Sequence, residues 1–197
     1  MKIIFATANK GKLREANDIL GEGFEIVSPA QMGITEDVEE TGETLMENSI
    51  IKAEHIYNLT GLDCFADDTG LEVDALGGAP GVHSARYATE GHDFDANIDK
   101  LLSELAKHPG EPRTARFRCV VTLIAGGEKH FFEGRVDGRI ALERAGTDGF
   151  GYDPVFIPDA YPDRTFAQLG EPVKNALSHR GQSLRALAAW LKENYAG

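Results

Sequence analysis

Cysteine, tryptophan and positive charge are all scarce in this 197-residue chain, and each scarcity removes a class of protein. Two cysteines, Cys64 and Cys119, cannot build a disulfide framework. Both sit in apolar, strand-like runs, which points to reduced core thiols in a cytoplasmic protein. Long hydrophobic runs are missing too. Residues 1–7 are apolar for only a short stretch before Asn9 and Lys10, too short for a signal segment or a membrane span. Lys and Arg number 20 against 32 Asp and Glu, a formal net charge of −12. That balance excludes a protein that coats DNA or RNA, because neutralising many phosphates takes a surplus of cations. A small polyanion held through a metal ion remains compatible with it. No internal repeat and no low-complexity linker interrupts the chain.

What is present suffices for a substantial core. With 42% hydrophobic residues the chain is globular, either one α/β domain or two intimately packed lobes. Residues 2–6 read as a buried strand, 11–20 as a helix, 24–28 as a strand and 44–59 as a longer helix. In that longer helix Thr44 and Glu47 have capping-box spacing, and Met46, Ile50, Ala53 and Tyr57 form a stripe predicted to face the core. Asn48 and Lys52, four residues apart, share a different, polar face. Short strands at 65–67 and 71–73 flank an acidic turn, 77–81 is a loop, and 93–105 is a helix. Residues 116–125 form a strand that Gly126 and Gly127 turn into another over 129–136. The Pro- and charge-rich stretch 107–113 is the predicted hinge between lobes. A closing helix from about 180 to 193 puts Leu184, Leu187, Ala188 and Leu191 on one side.

Four segments carry candidate chemistry. Asp67 and Asp68 end an apolar run and precede Thr69 and Gly70, which delivers two hard-oxygen ligands to a sheet edge where Mg²⁺ and a phosphate can meet. A turn closed by Asx hydrogen bonds uses the same residues. Thr7, Ala8, Asn9, Lys10, Gly11 and Lys12 lie where the first strand hands over to the first helix, so free N–H groups, the helix dipole and two ammonium groups converge there. It is not a Walker loop, because Ala6 and Leu13 stand where that pattern needs Gly and a hydroxyl. An ordinary strand-to-helix turn has a similar composition. Phe150 and Tyr152 alternate with Gly149 and Gly151 before Asp153, a setting that opens ring faces to a flat ligand or packs them as core aromatics. Lys174, Ser178, His179 and Arg180 gather donors ahead of the last helix, for a ligand or as its cap.

In order along the chain, Thr7-Ala8-Asn9-Lys10-Gly11-Lys12, Glu40-Thr41-Gly42, Glu47-Asn48, Lys52-Ala53, Ala66-Asp67-Asp68-Thr69-Gly70-Leu71, Gly77-Gly78-Ala79-Pro80-Gly81, Ser84-Ala85-Arg86-Tyr87, Gly149-Phe150-Gly151-Tyr152-Asp153-Pro154 and Ser178-His179-Arg180-Gly181 closely resemble the inosine/xanthosine triphosphate pyrophosphatase family. The resemblance runs from residue 7 to residue 181. It implies a single pyrophosphatase domain over 1–197, an elongated two-lobed α/β fold with a long central mixed sheet flanked by helices, a nucleotide cleft between the lobes, and a homodimer. The activity implied is Mg²⁺-dependent cleavage of ITP, dITP and XTP to the monophosphate and pyrophosphate, a cleansing of the nucleotide pool. Two positions depart from the family's usual pattern: Ala8 where many relatives carry Gly, and Thr69 where many carry Ser.

The roles follow from the same resemblance. Asp68 corresponds to the general base, Glu40 and Asp68 to the Mg²⁺ ligands with Asp67 as a supporting acid, and Lys12 and Lys52, with Thr7–Lys12 and Thr69, to the phosphate grip. Phe150, Gly151, Tyr152, Asp153, Lys174, His179 and Arg180 correspond to the purine pocket. A 6-oxo purine presents an acceptor at position 6 where adenine presents a donor, so a donor from Arg180 or His179 aimed there favours hypoxanthine or xanthine. Three other functions use similar residues: a receiver-type phosphoacceptor, a nucleotide sensor without hydrolysis, and a pyrophosphatase of other nucleotides. The first would carry its acid pair just after the first strand, whereas here the pair comes at residue 67.

Overall fold

The computed structural model describes residues 1–195. Strands and helices alternate as far as α3, after which three strands and then three helices follow: β1 (Lys2–Phe5), α1 (Lys10–Leu20), β2 (Glu25–Val27), α2 (Leu45–Thr60), β3 (Cys64–Val73), α3 (Phe94–Ala106), β4 (Thr114–Ala125), β5 (Glu128–Ile140), β6 (Phe156–Pro158), α4 (Phe166–Leu169), α5 (Glu171–Leu177) and α6 (His179–Tyr195). The strands make one mixed sheet in the order β2-β1-β3-β4-β5-β6, with β1 parallel to β2 and β3, and β5 antiparallel to β6. The α/β class read from the sequence is the class observed.

The chain packs as two compact units. The first comprises Met1–Asp68, Cys119–Gly134 and the chain from Arg180 onward; the second comprises Thr69–Arg118 and Arg135–His179. In the first unit β1 is buried on both faces, as a central parallel strand requires. Ile3 and Phe5 join Phe65, Val121, Leu123, Leu184 and Leu187 in one cluster, while Ile4 joins Ala53, Ile56, Cys64 and Ile124 in another. Helix α6 presents Leu184, Leu187 and Leu191 to the first of these clusters, with Ala188 packed at its margin. Cys64 and Cys119 are buried free thiols. The second unit has its own core of Leu71, Val73, Ile98, Leu101, Phe117, Ile140, Tyr152 and Phe156. Residues 107–113 lie within this unit, between α3 and β4.

Local signals behave as their chemistry dictates, with two corrections. Gly126 and Gly127 both take positive φ, 57° and 85°, the pair of conformations a tight hairpin turn needs, and they return β4 into β5. The hydroxyl of Thr44 caps α2 by accepting the Glu47 N–H at 3.1 Å, although Glu47 reaches back to the Glu43 N–H rather than to the cap itself. The acidic turn expected around Asp67 and Asp68 is absent: Cys64–Val73 is one unbroken strand, and the two acids lie in its middle. Gly70 did not break it because Leu71 and Val73 carry the apolar alternation onward into the second unit's core. The predicted α2 stripe is also rotated. Met46 is 41% exposed, and the buried positions are Leu45, Asn48, Ser49, Ala53 and Ile56. Two of these are polar because Ser49 has a partner in Thr122 at 2.6 Å and Asn48 in Gly42.

Candidate active site

A register of alternating side chains on β3 sets the first cluster. Successive residues of a strand point to opposite faces, so Asp67 and Asp68 meet different partners although they are neighbours in sequence. Lys12, in the first turn of α1, donates from Nζ to both oxygens of Asp67 at 3.0 and 2.9 Å. Arg180, in the first turn of α6, adds an Nε contact to the same carboxylate at 3.3 Å and an Nη1 contact to Glu15 at 3.2 Å. Asp68 turns instead to Lys52 of α2, whose ammonium lies 3.6 Å from its Oδ1 and 2.6 Å from Glu40 Oε1. One lysine therefore gathers both carboxylates assigned to the metal, Glu40 and Asp68.

The surrounding charges divide the two acids chemically. Burial alone would raise the Asp67 carboxyl, but Lys12, then Arg180 and Lys52, overcome it and hold the group well below the usual carboxylate range. For Asp68 burial wins. It pushes the carboxyl up to about 6, Glu40 and Asp67 add repulsion, and Lys52 and the Asn48 side chain only partly oppose it. Lys52 is desolvated too, yet Asp67, Asp68 and Glu40 together raise its ammonium above the ordinary value. The result is one acid locked as an anion and a second one poised near neutrality, a separation that characterises acid–base sites.

The loop carrying Glu40 is pinned by a buried amide. Asn48, 2% exposed, accepts the Gly42 N–H at 2.7 Å and also hydrogen-bonds the side chain of Asp68. A Cβ at position 42 would stand 2.6 Å from Asn48 Oδ1 and 2.9 Å from its backbone N, so glycine is what lets the loop approach. Asp68 Oδ2 is buried and has no hydrogen-bond partner. A buried carboxylate oxygen left open, beside a second carboxylate, fits a hard divalent cation that takes one or two carboxylates and fills its other positions with water and phosphate. Among the described residues there is no group of three or more His, Cys, Asp or Glu that could hold a metal by itself. Asp67 differs from Glu40 and Asp68 in having both oxygens engaged by cations.

The strand-to-helix segment is also more occupied than its sequence suggests. Asn9 caps α1, and its Oδ1 accepts the N–H groups of Gly11 and Lys12 at 2.8 and 3.1 Å, while Thr7 Oγ1 accepts the Asn9 N–H at 3.1 Å. The amides of Gly11 and Lys12 are thus satisfied by their own cap. Ala8, Asn9, Lys10 and Gly11 are exposed. The hydroxyl Oγ1 of Thr69 is buried without a hydrogen-bond partner.

The second cluster belongs to the second unit. Asp153, 4% exposed, accepts the Phe150 N–H at 3.0 Å and the Lys174 ammonium at 2.5 Å, both on Oδ2. The same ammonium lies 4.3 Å from the centroid of the Phe150 ring, a cation–π distance. Phe150 is 55% exposed, but Tyr152 is buried and donates its hydroxyl to Ser84 O at 2.7 Å. Of the two aromatics among the glycines, one offers its ring and the other builds the core, its phenol paired with an internal acceptor that lies far away in sequence. His179 stacks on Phe117 at 5.0 Å between ring centroids. Arg180, grouped in the sequence with the purine residues, has its guanidinium in the first cluster. Glu15 went unnoticed in the sequence; its signal was its place one helical turn after Lys12 on α1.

Residues 3–190 match the model of the Ham1 family. Among similar proteins, a dITP/XTP pyrophosphatase of Porphyromonas gingivalis is 52% identical over 96% of this chain and 97% of its own length. One of Bacillus subtilis is 48% identical over 96% of each. A solved structure of a HAM1 protein from Coxiella burnetii superimposes with a TM-score of 0.93 at 39% identity, covering 98% of this chain and 99% of that one. The match of sequence and fold over nearly the whole length places the chain in the Ham1 family.

Proposed function

We propose that this protein is a nucleoside triphosphate pyrophosphohydrolase that cleaves the non-standard purine nucleotides ITP, dITP and XTP to the monophosphate and pyrophosphate, with Mg²⁺. The names of its relatives support the reaction and the substrate class. The observation that carries the chemistry is the open, buried Oδ2 of Asp68, on a carboxyl raised to about 6 and beside Glu40 and Lys52. A divalent cation beside it would hold this carboxyl ionised at neutral pH, so Asp68 serves as a base through its position. Asp68 takes a proton from water as the water oxygen bonds to the α-phosphorus, and the bond from that phosphorus to the pyrophosphate oxygen breaks.

Glu40 and Asp68 would hold the Mg²⁺, which when bound offsets the charge of the triphosphate and of the departing pyrophosphate. Lys12 and Lys52, with Lys10, Thr69 and the 7–12 segment, grip the phosphates. Asp67 supports them by fixing Lys12 and Arg180. Phe150 supplies a stacking face, with the Lys174 ammonium over its ring and Asp153 holding that ammonium, and His179 and Arg180 supply donors to the 6-oxo group. The protein works as a homodimer in a reducing cytoplasm, a setting that suits its two buried thiols.

The test is a steady-state comparison of ITP, XTP, GTP, ATP and dUTP with products identified, in Mg²⁺ and in EDTA. Preferred release of pyrophosphate from ITP and XTP, stopped by EDTA and restored by Mg²⁺, is the expected outcome. Orthophosphate as the product, or equal turnover of ATP and ITP, overturns the proposal. Light scattering of the purified protein checks the dimer.

A further inference from the structure

Phe94 is the first residue of α3, and it is 42% exposed, whereas Phe117, Phe156 and Phe166 of the same unit are buried. Its ring lies against Phe150, with centroids 6.2 Å apart and planes tilted by 49°. Two partly exposed phenylalanines that touch each other on a surface lose little water by doing so, which makes the contact poor at stabilising a fold. The contact does restrict Phe150. That ring has Phe94 as one neighbour and the Lys174 ammonium as another.

The backbone around Phe94 is itself fixed. Asp93 caps α3 by accepting the Ala96 N–H at 3.0 Å. Arg144 donates to Asp95 O at 3.0 Å and pairs with Asp99 Oδ1 at 2.9 Å. Arg144 stands six residues before Phe150, so the first turn of α3 is tied to the segment that carries the stacking ring.

We infer that Phe94 is a positioning residue for base binding: its ring holds that of Phe150 in the orientation on which the purine stacks. The inference rests on the reading of Phe150 as the stacking face. An unsupported, half-exposed phenylalanine loses rotamer freedom when a ligand orders it, and a prepositioned one has already lost it. Stacking contributes equally to ground and transition states, so the effect falls on KM and leaves kcat. It is also indifferent to the group at position 6.

The experiment compares Phe94→Ala, Phe94→Tyr, Phe150→Ala and the double Phe94→Ala/Phe150→Ala, each checked by its melting temperature. Phe94→Ala is expected to raise KM for ITP about three- to tenfold, with kcat within twofold and an unchanged ITP/ATP ratio. Phe94→Tyr restores KM, and Phe150→Ala raises it at least as far as Phe94→Ala. In the double variant Phe94→Ala adds nothing further, because there is no ring left to position. An unchanged KM in Phe94→Ala, or additive effects in the double variant, overturns the inference while leaving Phe150 in place. An unchanged KM in Phe150→Ala sinks the stacking reading and the inference with it. If Phe94→Ala folds poorly, Phe94→Leu keeps the volume and removes the flat ring, and the same outcomes apply.

Discussion

Lys12 and Asp67, 55 residues apart in sequence, form a two-pronged contact in which one ammonium serves both oxygens of a carboxylate that is 1% exposed. Removing the lysine leaves a buried anion with Arg180 as its remaining close cation, and breaking such a pair costs more than the pair itself contributes. Lys12→Met should destabilise the protein by on the order of 3 kcal/mol in urea melts. Its kcat should fall by about 10² to 10³, since the same ammonium is proposed to grip phosphate. Adding Asp67→Asn should recover much of the stability and none of the activity. A single variant as stable as the wild type would show that the anion is not paying a desolvation penalty.

Asp68 predicts the opposite sign. Its folded-state carboxyl is raised from the ordinary 3.8 to about 6, so between these values the native state binds more protons than the unfolded chain. Its stability contribution is complete below about pH 4 and is lost as pH rises through about 6. At pH 8, without metal, ionised Asp68 therefore costs up to roughly 3 kcal/mol, two pKa units at 1.36 kcal/mol each. Asp68→Asn should be inactive yet more stable than wild type at pH 8 in EDTA, with the difference closing toward pH 4. Urea melts across that range decide it, and a variant less stable at pH 8 would contradict the assignment. A site that stores instability in its base trades stability for reactivity.

The elements that sequence alone revealed were those with a local cause. The Thr44 cap, the Gly126–Gly127 turn and the leucine face of α6 each depend on residues within a turn or two of one another. What stayed hidden depended on contacts distant in sequence. The expected stripe on α2 held at Ala53 and Tyr57 but was rotated, because periodicity counts Met46 as core and sets Asn48 on a separate polar face. Asn48 goes inward because Gly42 and Asp68 await its amide. The acids looked like a turn because Asp and Gly are turn formers, but tertiary context kept β3 extended through them. Resemblance named the site residues, and it could not say that Asp67 would be bound by two cations while Asp68 kept an oxygen open.

Glu40 offers a separate test of the proposed metal site. Its Oε1 lies 2.6 Å from the Lys52 ammonium that also faces Asp68, so the carboxylate is placed by the lysine before any cation arrives. Glu40→Gln keeps the shape and removes the charge. The half-saturating Mg²⁺ concentration should rise about 10- to 100-fold, the loss typical when a metal site's support is weakened. The gain in melting temperature on adding Mg²⁺ should shrink in parallel, while the ITP/ATP ratio stays unchanged. A wild-type Mg²⁺ response would move the metal away from Glu40.

Arg180, proposed above as a donor to the base, is held in the acid cluster. Its Nε and Nη1 are engaged by Asp67 and Glu15, which fixes the plane of the guanidinium, and these two carboxylates keep it charged despite burial. A guanidinium carries donors only, so it pairs with an acceptor at position 6 of the purine and opposes a donor there; held in a fixed plane, it cannot swing away to relieve that opposition. Arg180→Ala should therefore lower the ITP/ATP ratio of kcat/KM by about tenfold or more. It should also destabilise the protein, because Asp67 loses a partner. Arg180→Lys keeps the charge without the rigid fork, and should recover stability but not discrimination. If Arg180→Lys restores the ratio, charge alone suffices, and the planar grip of Asp67 and Glu15 has no part in choosing the base.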